Sequence, residues 1–268
     1  MGLRFFTFES GSSGNSYLLQ SDTTSILLDC GTAGKNIIKG LEELSMTLSD
    51  IDAILLTHEH IDHVKSINMI SKKARNATVY GSHGTIDSVR EKIHAETIEF
   101  DGEEIDFFVG DIKVEAFPLS HDAVEPTGFS ISEPSSDKRI TVITDTGKIL
   151  PEMKGKISES DLLILEANHE YNILMMCDYP FELKKRISGD YGHLSNEAAG
   201  ECLCEMLRSR KKGSIPIVCL AHLSSNSNSK EQAYATVANI LESNGFYIGK
   251  NLAMDVMRKG ESGFLIEI

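Results

Sequence analysis

The chain has 268 residues, 41% hydrophobic and 25% charged, a composition that excludes a disordered or fibrous protein. Its 26 basic and 40 acidic residues leave a formal charge of −14, which repels polyanions and anionic membranes at long range, so a phosphate-bearing substrate must be won by local positive charge. Five irregularly spaced cysteines (Cys30, Cys177, Cys202, Cys204, Cys219) point to a reduced, cytoplasmic protein and not to a disulfide framework.

Three strands are expected first, at Phe5–Glu9, Ser16–Leu19 and Ser25–Asp29, separated by the Ser- and Gly-rich stretch Ser10–Asn15 and a polar turn. From Asn36 to Leu48 the apolar residues Ile37, Ile38, Leu41, Leu44 and Leu48 keep a helical spacing. Ala53–Leu56 is a short apolar strand that ends in Thr57 and a string of histidines. Val64–Ile70 reads as a helix, Ala77–Tyr80 as a strand and Thr85–His94 as a helix. From Glu96 to Ser132 the pattern is strand and turn only. The alternation then resumes with strands Ile140–Thr144 and Leu162–Glu166, helix Asn196–Arg210, strand Ile217–Leu220 and helix Lys230–Ser243.

No linker or short-period repeat divides the chain, which reads as one domain, 1–268, made of two α/β halves. The N-terminal Met1–Phe6 stretch has no signal-peptide pattern, and no apolar run approaches a membrane span.

The informative segment is Thr57-His58-Glu59-His60-Ile61-Asp62-His63, directly after a strand and before a helix. His58 and His60 are two apart and project to one side of an extended segment. Asp62 and His63 open the next helix and can turn toward the same hollow. Imidazole and carboxylate without thiolate suit zinc, manganese or iron. The helical protease signature His-Glu-x-x-His is excluded, because its second histidine would fall on Asp62. Further candidate ligands stand at strand ends: His121 after Val114–Ser120, Asp145 after Thr141–Thr144, and His222 after Ile217–Ala221.

These residues together resemble the metallo-β-lactamase superfamily over essentially the whole chain. The resemblance implies an αββα four-layer sandwich of the α/β class with two divalent metal ions at one edge. By it, His58, His60 and His121 bind one ion, Asp62, His63 and His222 the second, and Asp145 bridges them. The segments Ser10–Ser16, Leu28-Asp29-Cys30-Gly31, Leu165–His169 and Gly189–Asn196 resemble in particular the YycJ/WalJ group of bacterial exonuclease-like proteins, and Gly192-His193 resembles a segment of tRNase Z whose histidine donates a proton. This implies phosphodiester hydrolysis, with DNA favoured over RNA and a 5′ to 3′ direction. A small-molecule phosphodiesterase, acting on cyclic or phosphonate-derived esters, shares every ligand and is the alternative. A flavodiiron oxidoreductase would place Glu where His60 stands, so no flavin partner is expected, and no membrane partner either.

The chemistry follows from these residue types. Two bridged divalent ions acidify water and neutralise transition-state charge, with Asp62 also placed to orient the nucleophile. His193 is the expected proton donor to the leaving 3′ oxygen, and Glu166 is expected to orient His193 or His121. Ser12, Ser13 and Asn15 form a polar loop able to meet phosphate, and His169 a possible groove wall. Lys184, Lys185 and Arg186 are expected to border the substrate path. Arg208–Lys212 has the simpler reading of a basic helix end. Neither basic group is interleaved with aromatics as a single-strand stacking surface would be.

Overall fold

The computed structural model describes residues 2–257 and 263–268. Two compact units emerge: one comprises the chain up to Pro118, Ala123–Lys138 and the C-terminal strand, the other Leu119–Asp122 and the chain from Arg139 onward.

In the first unit β1 (Arg4–Glu9), β2 (Ser16–Gln20) and β3 (Ser25–Leu28) run antiparallel, and β4 (Ala53–Leu55), β5 (Thr78–Ser82) and β6 (Thr97–Phe100) follow parallel to β3. The intervening helices are α1 (Gly34–Glu43), α2 (Ile61–Val64), α3 (Ile67–Lys73) and α4 (His83–Val89). Strands β7 (Ile105–Val109), β8 (Ile112–Pro118) and β9 (Thr127–Glu133) make an antiparallel ribbon. The period of two in β1 assigns its faces. Phe6 and Phe8 join Leu27, Ile37, Leu41, Ile54 and Ile67 in one apolar cluster, while Phe5 stacks on Tyr17 from the other side, with ring centroids 5.5 Å apart.

In the second unit β10 (Lys138–Ile143), β11 (Leu162–Glu166), β12 (Ile217–Ala221) and β13 (Ala253–Val256) are successive parallel neighbours. Every residue of β11 is buried, as expected of a parallel strand covered on both faces. The helices are α5 (Pro151–Glu159), α6 (Tyr171–Met176), α7 (Phe181–Ile187), α8 (Asn196–Ser209) and α9 (Lys230–Ser243). Ser195 and Ser229 cap α8 and α9 by accepting from the amides of Ala198 and Gln232. The last strand, β14 (Phe264–Glu267), returns to the first unit and pairs antiparallel with β1.

Several expected boundaries shift for visible reasons. The helix expected over Asn36–Leu48 stops at Glu43, because Ser45 turns left-handed (φ 60°) and Met46 N–H returns to Leu41 O; Leu48 opens a separate 3₁₀ turn. Val64–Ile70 divides into α2 and α3 at Ser66, whose amide and hydroxyl bind the carbonyls of Cys30 and Thr32. The helix expected over Thr85–His94 is α4 followed by a 3₁₀ turn. Helices α5, α6 and α7 and strands β13 and β14 were not foreseen.

The basic run Arg208–Lys212 is partly a structural staple. The Arg210 guanidinium, 5% exposed, donates to the carbonyls of Ser158 and Ser160 and pairs with Asp161, which Lys212 also contacts at 3.0 Å. Replacing Arg210 by Met leaves these acceptors and the Asp161 charge without their partner. We expect urea denaturation of Arg210→Met to show a loss of about 2–4 kcal/mol, against less than about 0.5 kcal/mol for Lys211→Ala.

Candidate metal centre

The first unit holds the histidine string. Chain geometry at the ends of β3 and β4 is set by Asp29, which is buried and left-handed (φ 59°) just beyond β3. One carboxylate oxygen accepts the Thr57 amide at 2.9 Å, and the other accepts the Thr57 hydroxyl at 2.8 Å and His63 Nδ1 at 2.7 Å. The Thr57 hydroxyl, donating to Asp29, can in turn accept from His58 Nδ1 at 3.0 Å. Both rings therefore use their Nδ1 hydrogen internally and present Nε2 as a lone pair, the form a metal requires. Burial pushes the Asp29 carboxyl above its usual range, although His63 pulls the other way.

The string itself is compact. The rings of His58 and His63 lie 4.0 Å apart and those of His58 and His60 4.7 Å apart, while His63 Nε2 is 3.7 Å from Asp62 Oδ2. Its backbone is pinned at both edges: Asn15 N–H donates to Asp62 O and Cys30 N–H to His63 O, each at 2.8 Å. Gly31 has to be glycine here, because a Cβ would fall on the Asp62 carbonyl. Glu59 points elsewhere and accepts the Val124 amide.

The second unit gathers the other candidates at the C-terminal ends of its parallel strands. Asp145 beyond β10 and His222 beyond β12 both adopt left-handed backbones (φ 60° and 55°), and Glu166 closes β11 between them. Asp145 Oδ1 lies 3.5 Å from His222 Nε2, 3.7 Å from His193 Nδ1 and 3.9 Å from His121 Nε2. Glu166 Oε1 accepts Nδ1 of both His193 and His222 at 2.8 Å, and its Oε2 accepts the amides of Thr146 and Leu194. Of the two rings expected on Glu166, His193 is the one it binds, whereas His121 Nδ1 donates to Gly192 O at 2.9 Å; His222 shares the carboxylate unforeseen.

The electrostatics separate the roles. Burial would raise Glu166, but His193 and His222 outweigh it and hold the carboxyl at about 2. Burial lowers His121, which favours its neutral, metal-binding form. For His193 burial acts downward too, yet the Glu166 charge prevails and raises it, as suits a proton donor. It is also the most accessible of the rings around Asp145, at 19% against 1% for His121 and His222.

The donor set of each unit suits divalent ions. His58, His63, His121 and His222 each turn Nδ1 to an internal acceptor, which frees Nε2, and in the last three Nε2 lies within 4 Å of a carboxylate oxygen. Within the second unit one donor atom from each of Asp145, Glu166, His193 and His222 lies within 4.8 Å of the others.

Other expected substrate contacts are placed differently. Ser12 and Ser13 are exposed, with the Ser13 hydroxyl on Glu9. Asn15 is buried and does not face solvent: its Oδ1 accepts Gly11 N–H and the Tyr17 hydroxyl, and its Nδ2 faces His63 Nε2 at 3.1 Å. His169 is 1% exposed and lines no open groove. Lys184 donates to Met175 O, Arg186 pairs with Asp122, and Lys185 is exposed. Asp29, Thr57 and Gly31 were missed as site-building residues.

Comparison with known proteins follows the same lines. Residues 24–215 match the family model described as the beta-lactamase superfamily domain. The chain is 34% identical over 256 residues to the exodeoxyribonuclease YycJ of Bacillus anthracis, covering 93% of each chain. It is 35% identical over 246 residues to the exodeoxyribonuclease WalJ of Streptococcus pneumoniae, covering 90% of this chain and 89% of that one. The metallo-beta-lactamase fold protein YhfI of Bacillus subtilis superposes with a TM-score of 0.72 at 19% identity, covering 100% of both chains, so the expected fold and its α/β class are observed.

Asn at position 29 keeps the volume of Asp29 but presents an amide where His63 Nδ1 needs an acceptor. Asp29→Asn should weaken zinc or manganese binding about 10- to 100-fold in calorimetric titration, and unchanged affinity would refute the orienting role.

His169 supplies a pH signature. Burial holds it at about 4, below the ordinary histidine value of 6.5, so the folded protein binds fewer protons than the unfolded chain between these values. Stability from this group is complete above pH 6.5 and is lost as pH falls toward 4, at up to about 1.4 kcal/mol per unit. In chelator-treated protein, His169→Gln should flatten the pH dependence of denaturation in that window, and an unchanged slope would show His169 to titrate normally.

Proposed function

Because the chain belongs to the metallo-β-lactamase superfamily, we propose that it is a two-metal nuclease that removes nucleotides from DNA in the 5′ to 3′ direction. That it is a metal-dependent hydrolase follows from the family and from its exodeoxyribonuclease relatives. The nucleic-acid substrate and the preference for DNA over RNA are supported by likeness to those relatives, and the direction is carried over from the sequence resemblance. Zinc or manganese is our choice for the resident pair, and the nitrogen and oxygen donors suit both.

In this reading His58, His60 and His121 hold one ion, Asp62, His63 and His222 the other, and Asp145 both. Bound divalent ions supply Lewis acidity, which acidifies water and offsets phosphate charge. The remaining steps belong to side chains. His193, shifted toward its cationic form by Glu166, gives its Nε2 proton to the leaving 3′ oxygen and remains hydrogen-bonded to Glu166 through Nδ1. The same carboxylate fixes His222 with Nε2 toward Asp145. One buried anion thus positions a metal ligand and the proton donor together, and this shared clamp is the observation that carries the mechanism.

Metal-reconstituted protein should be incubated with end-labelled single- and double-stranded DNA and RNA beside cyclic nucleotides. Metal-dependent release of mononucleotides from the 5′ end of DNA is expected; hydrolysis of cyclic nucleotides alone would overturn the reading in favour of a small-molecule phosphodiesterase. His193→Ala should retain metal and lose roughly 10²–10⁴ in turnover, with partial rescue by a substrate whose leaving group needs no proton. Normal turnover of DNA by this variant would remove His193 from the mechanism.

A further inference from the structure

Helix α7 buries none of its residues, and in the preceding α6 only Leu174 is buried. Their apolar side chains face water instead: Met176 is 86% exposed, Phe181 72% and, just past α7, Tyr191 65%. The basic residues lie between these aromatics. Lys185 and Arg186 are exposed on α7, and Lys148 sits over the Tyr191 ring at 5.7 Å from its centroid. No aromatic is interleaved within the basic run, as expected, but Phe181 and Tyr191 stand exposed on either side of it.

This surface is wired to the proton donor. His193 N–H donates to Ile187 O in the last turn of α7 at 2.8 Å. Arg186 pairs with Asp122, the neighbour of His121, and Lys148 Nζ holds Asp190 Oδ2 at 2.7 Å. A Cβ at position 192 would strike the carbonyls of Arg186 and Ile187, so Gly192 permits the close approach of the His193 loop to the helix end. From Phe181 to Ile187 the helix spans about 9 Å, roughly three nucleotides of a stacked strand at about 3.4 Å each.

Resting on the nuclease reading, we infer that α6, α7 and the turn to Tyr191 form a stacking platform for single-stranded nucleic acid that delivers the strand to His193. Bases stack on Phe181 and Tyr191, and Lys185 and Arg186 meet the phosphates. The local pairing selects this occupant: Lys185 stands one helical turn from Phe181 and Lys148 lies over the Tyr191 ring, so both exposed rings have a cation beside them, which matches a strand that offers a flat π-face and an anion at each nucleotide. A duplex keeps its bases stacked internally and gains only the phosphate contacts.

The test is equilibrium binding of a nuclease-resistant phosphorothioate 12-mer carrying 2-aminopurine to the full-length, metal-loaded protein. Wild type should quench the 2-aminopurine and prefer the single strand to its duplex. Phe181→Ala and Tyr191→Ala should each raise Kd about tenfold or more and relieve quenching, while Phe181→Trp keeps both and Phe108→Ala, an exposed ring in the other unit, changes neither. Lys185→Ala should lower the slope of log affinity against log salt by about 0.7. Because these side chains are exposed, circular dichroism should show the variants folded. If the double variant binds like wild type while wild type still degrades DNA, the platform is wrong and the nuclease reading stands. If wild type neither binds nor degrades nucleic acid, the nuclease reading fails and the platform with it. Loss of binding to anionic phospholipid vesicles, with oligonucleotide binding intact, would reassign the surface to membranes and overturn the proposal.

Discussion

Two buried carboxylates, Asp29 in the first unit and Glu166 in the second, orient the candidate metal ligands of their own units. Each stands at the end of a parallel strand and receives histidine Nδ1 hydrogens at 2.7–2.8 Å. Neither is itself in the expected ligand set; each decides which nitrogen its histidine presents. A neutral imidazole has one donor and one acceptor, so an acceptor placed behind the ring commits the lone pair to the front. Without these anions the histidines would exchange tautomers, and part of the population would carry a hydrogen on the nitrogen that a metal needs free. The same logic uses a hydroxyl at Thr57 for His58 and a carbonyl at Gly192 for His121.

This arrangement carries a conformational cost that the surrounding bonds offset. Asp29, Asp145 and His222 occupy the left-handed region, where a non-glycine residue is strained by of order 1–3 kcal/mol. All three sit immediately after parallel strands, where the chain must turn sharply to aim a side chain along the strand axis. Glycine would relieve the strain but carry no donor. The backbone amides of Thr57, Thr146 and Leu194 bind the two carboxylates and keep these turns from relaxing.

Much of this was legible in the sequence because the chemistry is concentrated. The string His58–His63 is short, and His121, Asp145 and His222 each end a recognisable apolar strand. The long strands and helices, such as Leu162–Glu166 and Lys230–Ser243, appear where periodicity placed them. What escaped lacks local signal. Asp29 meets Thr57 and His63 across 28 and 34 residues, and no spacing rule reaches that far. Helices α6 and α7 bury too little to show an apolar period, and β14 pairs as an edge strand, its burial alternating without reaching the core. Asn15 reads as a loop polar residue until the fold shows its amide holding Gly11, Tyr17 and His63.

The least buried helix of the second unit leads directly into His193, the proposed proton donor, and a division of labour follows from that reading. His222 and Asp145 follow strands whose last four residues are all buried, and α8, just beyond His193, buries residues along its length from Asn196 to Met206. Helix α7 on the other side of His193 has no such anchor. Metal ligands must be rigid before substrate arrives, since their geometry sets affinity. A proton donor need be aligned only while the leaving oxygen is present, and contacts made by a strand lying on α7 can supply that alignment from remote binding energy. On the proposed platform a polymer bound along the helix therefore improves catalysis as well as affinity, whereas a minimal phosphodiester that never touches α7 leaves that contribution unused.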